Sequence, residues 1–565
     1  MQEAVSLDAP TRGGGPLKAL TSRLRAAVPT LLEISGAVLS AILLILAFPD
    51  FGLWPLAWVG LAPLFFFITR RPRAPQAFVL GWLTGTLFFY GSCHWLTYPM
   101  IHYGGLPAPL AYTLLLFPVM LAALFPAACT LILARLCARM GPRSLLFAPA
   151  LWAALEWARL GVIGQLWNAV GYSQAEVPAL IQAARFGGVY AVGFLVVSVN
   201  AALAYALSKR TARATLQALA ACAFVGLVLF ASRYSTATTE TDEPAAVVVA
   251  VQPNIIPDFK RTAAETSTLA ERHFALSEEA LVAVDEGRAQ RTVQGAEANS
   301  SSGAVADREK LAALPRVVIW PESPMNFTFA RDSLLRERIA RFVREHRASL
   351  LLNSLEPAPD DGGYNAAVLI NEEARLVAQY DKIRLMPFGE YVPLPRWMPG
   401  AGLVRGIVGD FTPGTSFTLM PLGGAGEKAP RAGVFICLES AYPYITRRFT
   451  EEGADVLVEI TNDAYQGDTA VVRQHLANAV FRAVETGRPL LRITNTGITA
   501  RITPRGEVLD ATEKFRPAVR TWTVARSDGS QTFYVMAGDA FVAACALLSA
   551  AACALSFRRV TRKRV

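Results

Sequence analysis

The sequence has little that could hold a metal, a nucleotide or a disulfide. Its five histidines do not cluster at ligand spacing, its seven cysteines include no CxxC pair, and the GGG at 13–15 follows no strand. Zinc-site, thiol-redox and phosphate-loop readings are therefore excluded, and neither a metal nor a cofactor is called for. Charge is scarce as well: 18% of residues are charged against 53% hydrophobic, too few for an ordinary soluble protein. The scarcity is local. Apolar runs fill 31–232 and 533–557, whereas 245–528 has ordinary globular composition.

Runs of roughly 18 or more uncharged residues can cross a hydrocarbon core about 30 Å thick as helices. Eight runs qualify: 31–48, 52–69, 77–99, 107–134, 145–163, 187–207, 214–232 and 533–557. Pro55 and Pro63 interrupt the second, Glu156 and Arg159 the fifth. The first lacks a small-residue cleavage site and reads as a retained anchor, not a signal peptide.

Lys and Arg are missing from two connections, PDFG at 49–52 and IHYGGLPAP at 101–109. They collect instead in the tail 1–30 (Arg12, Lys18, Arg23, Arg25), at Arg70–Arg73, at Arg135–Arg143, at Lys209–Arg213 and in the tail 558–565. Basic residues mark cytoplasmic loops, so both termini are expected inside and 245–528 outside. The net charge of +9 is then a topology signal, not a nucleic-acid footprint.

Short apolar strands alternating with amphipathic helices over 245–528 indicate an α/β domain. The Gly, Ser and Gln-rich stretch 286–307 reads as a flexible insertion. Six cysteines lie in or beside apolar runs; Cys437 alone falls in the globular part, unpaired in an oxidising compartment. It follows the strand-like run VFI, as Glu322 follows VVIWP and Lys382 follows AQYD. A carboxylate can take a thiol proton, and an ammonium can lower the thiol pKa and stabilise an oxyanion.

The words around these three residues narrow the reading. WPES at 320–323, KIRLMPFGEYVP at 382–393 and ICLES at 436–440 resemble, in order and spacing, the Glu, Lys, Cys signature of the nitrilase superfamily. With NDAYQGD at 462–468, Gln474–His475, RPLLRITNTGIT at 488–499, the ExxR of Glu156 and Arg159 and GYSQ at 171–174, the chain is similar to its membrane-embedded bacterial branch, the apolipoprotein N-acyltransferase family. Tyr465 and Gln466 stand where that family usually has an aromatic pair.

The resemblance implies an αββα sandwich inserted between spans seven and eight, on the periplasmic side of the inner membrane. It implies that Cys437 takes an acyl chain from a phospholipid, typically phosphatidylethanolamine, and passes it to the α-amino group of a diacylglyceryl apolipoprotein. Glu322 would be the base, Lys382 the oxyanion stabiliser and Glu390 a further essential carboxylate. Glu439 and Asn365 would stand around the site. His475 reads as structural, and a single chain carries every required part, so a monomer is expected. The apolar, glycine-containing stretch 394–411 is expected to gate lipid entry, with Trp397, Leu403 and Ile407 at the interface. Glu156 and Arg159, at i and i+3 on one helix face, are expected to form a functional pair or a packing salt bridge. Two other readings share parts of the pattern: a membrane-tethered amidase acting on a small C–N substrate, and a non-catalytic scaffold or transporter.

Overall fold

The computed structural model describes residues 28–234, 240–258, 263–286, 313–323, 327–359, 362–393, 397, 411–423 and 429–561. Most of the insertion 286–307, and Leu403 and Ile407, lie outside them.

Among the described residues four helices are long and apolar enough to cross a membrane: Ala108–Met140, Pro142–Ile163, Ala184–Lys209 and Ala212–Ser232. Leu31–Ala47, Trp54–Arg70 and Ala540–Ser556 are shorter apolar helices. The run expected at 77–99 is not one helix. Ala74–Ser92 ends there, and a turn at His94–Leu96 leads into the short helix Thr97–His102. Where Pro63 interrupts 52–69, Asn200 supplies the missing partner: its Oδ1 accepts the Leu61 and Ala62 N–H groups at 2.7 and 3.0 Å. A buried amide is the expected remedy, since hydrocarbon offers the freed donors nothing.

Among the described residues the globular part holds twelve strands: β1 (Glu240–Gln252), β2 (Arg316–Ile319), β3 (Ala348–Pro357), β4 (Gly363–Ile370), β5 (Leu376–Asp381), β6 (Leu419–Pro421), β7 (Arg431–Ile436), β8 (Val456–Thr461), β9 (Leu490–Thr494), β10 (Ala500–Ile502), β11 (Val508–Leu509) and β12 (Ala518–Ser527). They form two six-stranded sheets, ordered β12-β1-β2-β3-β4-β5 and β11-β10-β9-β8-β7-β6. Each has three parallel strands (β1–β3, β7–β9) flanked by antiparallel edges. The expected alternation of strand and helix therefore holds for the parallel strands, while 366–382 is a β4–β5 hairpin.

Alternation within strands sets the layers. Ala246, Val248 and Ala250 of β1 face the second sheet, sharing a core with Val434, Ile436 and Val458, while Val249 and Val251 pack with Phe274, Ile339 and Phe342 on outer helices. The second sheet's outer helices, Pro443–Glu451 and Val471–Thr486, contribute Ile445, Phe449 and Val472 to a core that continues into the apolar helices.

Candidate active site

Strand ends deliver the three residues to one cleft. β2 runs out into Pro321 and Glu322, β5 ends one residue before Lys382, and β7 ends at Ile436, immediately before Cys437. Cys437 turns the chain from strand into a short helix with φ at +53°, in the left-handed region that side chains with a Cβ rarely adopt. This sharp turn lifts the thiol out of the sheet, and strain held at such a point is a mark of function.

Lys382 is buried, its ammonium 2.7 Å from Glu390 Oε1 and 3.5 Å from Glu322 Oε1. Asn365 Nδ2 donates to the same two carboxylates, at 2.6 Å to Glu390 and 3.0 Å to Glu322. Asn353 Nδ2 fixes Asn365 in turn at 2.7 Å. The Asn462 N–H reaches Glu322 Oε2 at 3.1 Å, and the Met386 N–H reaches Glu390 Oε2 at 2.7 Å. Glu322, Lys382, Glu390, Asn365 and Cys437 are thus brought together.

Burial draws the Lys382 ammonium down, but Glu390, Glu322 and the Cys437 sulfur outweigh it and hold the group above the usual lysine range. It stays a cation. Lys382 draws the Cys437 thiol down, as expected, but burial of the sulfur and the charge of Glu322 outweigh it and hold the thiol well above its ordinary range. A thiol so placed would have to give up its proton to a base in order to attack, and Glu322 is a carboxylate beside it.

Glu439 does not face the cleft. Its carboxylate accepts the Tyr380 hydroxyl at 2.8 and 2.9 Å and the N–H groups of Ile436 (2.8 Å), Ile383 (2.8 Å) and Arg384 (3.0 Å). It staples the lysine loop to the cysteine turn. His475 also avoids the thiol: Nε2 lies 3.0 Å from the Cys437 carbonyl oxygen, and Nδ1 2.7 Å from Asp463. Arg492 closes this cluster against Glu459 at 2.5 Å and Asp463 at 2.8 Å.

Glu156 and Arg159 form no direct ion pair. Glu156 Oε1 accepts the Val170 N–H at 2.8 Å, and Arg159 donates to the Trp167 carbonyl at 2.8 Å, so both hold segment 164–175 against the helix carrying them. Trp397 is 80% exposed.

Sequence reasoning missed Asn353, Tyr380 and the anchoring role of Gln474. Asn353, a lone amide inside the apolar run of β3, was a readable signal. Gln474 Oε1 accepts the indole N–H groups of Trp95 and Trp167 at 3.1 and 2.8 Å, and its Nε2 donates to the Pro49 and Ser92 carbonyls at 3.0 and 2.9 Å. One side chain thereby ties the catalytic sheet's outer helix to three separate apolar segments.

A thiol, a carboxylate and a buried ammonium gathered at the ends of β7, β2 and β5 are the arrangement of a carbon-nitrogen hydrolase, and the profile of that family matches residues 239–534. Residues 40–202 match the apolipoprotein N-acyltransferase N-terminal domain. An apolipoprotein N-acyltransferase of Geobacter metallireducens is 32% identical across 93% of this chain and 95% of its own. One from Allorhizobium ampelinum is 29% identical across 81% of each. The chain belongs to the apolipoprotein N-acyltransferase family, so the resemblance carried by its motifs is borne out, and with its membrane-length helices it is a bacterial membrane protein.

Proposed function

We propose that this chain transfers a fatty acyl group from a phospholipid, through a thioester on Cys437, to the α-amino group of an N-terminal diacylglyceryl cysteine. The observation that carries the mechanism is the convergence of Glu322, Lys382 and Glu390 on a cysteine held in a left-handed turn.

Glu322 takes the Sγ proton as sulfur attacks the ester carbonyl of the lipid. The tetrahedral oxyanion forms beside the Lys382 ammonium, whose charge Glu390 holds in place. The ester C–O bond then breaks, and the protonated Glu322 returns its proton to the departing lysophospholipid oxygen. In the second half-reaction the amine attacks the thioester, the C–S bond breaks, and the amine's proton passes by way of Glu322 to the thiolate. Amine must win over water, which membrane seating favours by surrounding the acyl chain with apolar helices.

The eight apolar segments act as spans, the third shortened to Ala74–Ser92, with the termini cytoplasmic and 245–528 periplasmic at the inner membrane. Phosphatidylethanolamine serves as donor and a monomer suffices. Exposed Trp397 meets the incoming lipid.

Intact mass of the detergent-purified protein after incubation with phosphatidylethanolamine tests the reading. Wild type gains one acyl chain that hydroxylamine removes, and Cys437→Ser gains none. Turnover of a small amide without any acyl adduct would replace transfer with hydrolysis.

A further inference from the structure

Arg384 follows Lys382 by two residues and is exposed. Its guanidinium carbon lies 5.5 Å from the Tyr442 ring centre and 5.3 Å from that of Tyr444, and Nε donates to the Tyr444 hydroxyl. Its backbone N–H is fixed by Glu439 at 3.0 Å. Among the described residues neither Nη atom has a hydrogen-bond partner and no carboxylate pairs with the guanidinium. The acidic groups nearby are committed: Glu322 and Glu390 to Lys382, and Glu439 to its hydrogen bonds. A guanidinium set against two tyrosines, bonded through Nε to one of them and with both Nη atoms unpaired among the described residues, can offer its fork to a phosphate.

Height relative to the bilayer points the same way. The Tyr442 hydroxyl donates to the carbonyl of Gly164, which caps the C-terminal end of the membrane-length helix Pro142–Ile163. Arg384 thus stands where an apolar helix ends, the level at which lipid phosphates lie.

We propose that Arg384, held by Tyr442 and Tyr444, receives the phosphodiester of the acyl-donor phospholipid and so aligns its ester with Cys437. This deepens the acyl-transfer reading and rests on it. The acceptor's thioether-linked diacylglyceryl group carries no phosphate, so Arg384 serves the first half-reaction and is idle in the second.

The test follows thioester formation on the full-length protein from phosphatidylethanolamine and from a phosphate-free p-nitrophenyl fatty ester, then discharge of the preformed thioester to a diacylglyceryl-cysteine peptide. Arg384→Gln slows acylation by the phospholipid about tenfold or more, through KM, as expected for loss of one charge-assisted contact. Arg384→Lys recovers part of it, and acylation by the activated ester and discharge change little. Competition by soluble glycerophosphoethanolamine supports the lipid headgroup; competition by inorganic phosphate alone would make this a free-anion site and overturn the lipid assignment. An equal fall in all three rates would reduce Arg384 to a packing residue, and no fall would also overturn the proposal. Absence of thioester from either donor in wild type would sink acyl transfer itself, and the anchor with it.

Discussion

Cys437 stands between two charged clusters that differ in what they leave free. In front, Glu322 and Glu390 share one ammonium, Lys382, and their side chains keep 13% and 12% of their surface accessible. Behind, Glu459 and Asp463 meet both Arg492 and His475, and none of the four exceeds 3%. The rear cluster balances its charges and is closed. The front cluster carries one surplus negative charge facing a cleft, the condition for accepting a proton. Charge imbalance with access, not burial alone, separates the chemistry from the scaffold.

The strongest way to break this contrast is to unbalance the rear. Arg492→Leu leaves Glu459 and Asp463 to share His475 alone, so one negative charge goes uncompensated in a site without solvent, which costs about 4 kcal/mol. Thermal unfolding in detergent should show the protein strongly destabilised. The matching change in front should do the reverse. Glu322→Gln leaves Lys382 paired with Glu390, so the melting temperature stays near wild type while thioester formation falls about 1,000-fold, about 4 kcal/mol of barrier. If Glu322→Gln unfolded the protein, or if Arg492→Leu kept wild-type stability, the division of roles would be wrong.

A smaller effect tests how the two halves of the chain depend on each other. Gln474→Leu removes four hydrogen bonds and leaves the Trp95 and Trp167 indole N–H groups and the Pro49 and Ser92 carbonyls buried without partners. A loss of about 3 kcal/mol is expected. Because His475, the next residue, holds the Cys437 carbonyl, the thiol's alkylation rate should also change in this variant, whereas a surface change on the same helix, such as Arg473→Ala, should leave it unaltered.

The reactive residues were legible because each lies just past a strand in a locally distinctive run, and strand ends are where this architecture exposes side chains. Glu439 was legible only as a neighbour. The resemblance placed it around the site without saying what it holds, and the left-handed turn at Cys437 sends its carboxylate back to the Ile436, Ile383 and Arg384 amides. Glu156 and Arg159 share a helix face as read, yet their partners are backbone groups of 164–175, a segment whose path the helix spacing does not encode. The apolar runs announced membrane segments well, and their ends poorly. Whether 77–99 continues past Ser92 depends on Gln474 and Trp167, which arrive from elsewhere in the chain.

The smallest expected effect sharpens the reading of the rear cluster as a closed, balanced set. Burial and Arg492 pull the His475 imidazole down, but Asp463 and Glu459 overcome them and raise its pKa from 6.5 to about 9. In the unfolded chain it returns to about 6.5. A group whose folded pKa is raised contributes stability that is fully present below the unfolded value and fades as pH rises through the folded one. Wild type should therefore lose stability between about pH 6.5 and 9, beyond the loss from its other groups. His475→Gln removes that increment and flattens the profile in this window. The amide can still donate toward either Asp463 or the Cys437 carbonyl, so folding is retained at low pH with a lower melting temperature. Melting temperatures of the two proteins across pH 6 to 10 decide it: converging curves mean the cluster owes its balance to a charged His475, and parallel curves mean the imidazole is neutral and the rear cluster, like the front one, carries an excess of carboxylate.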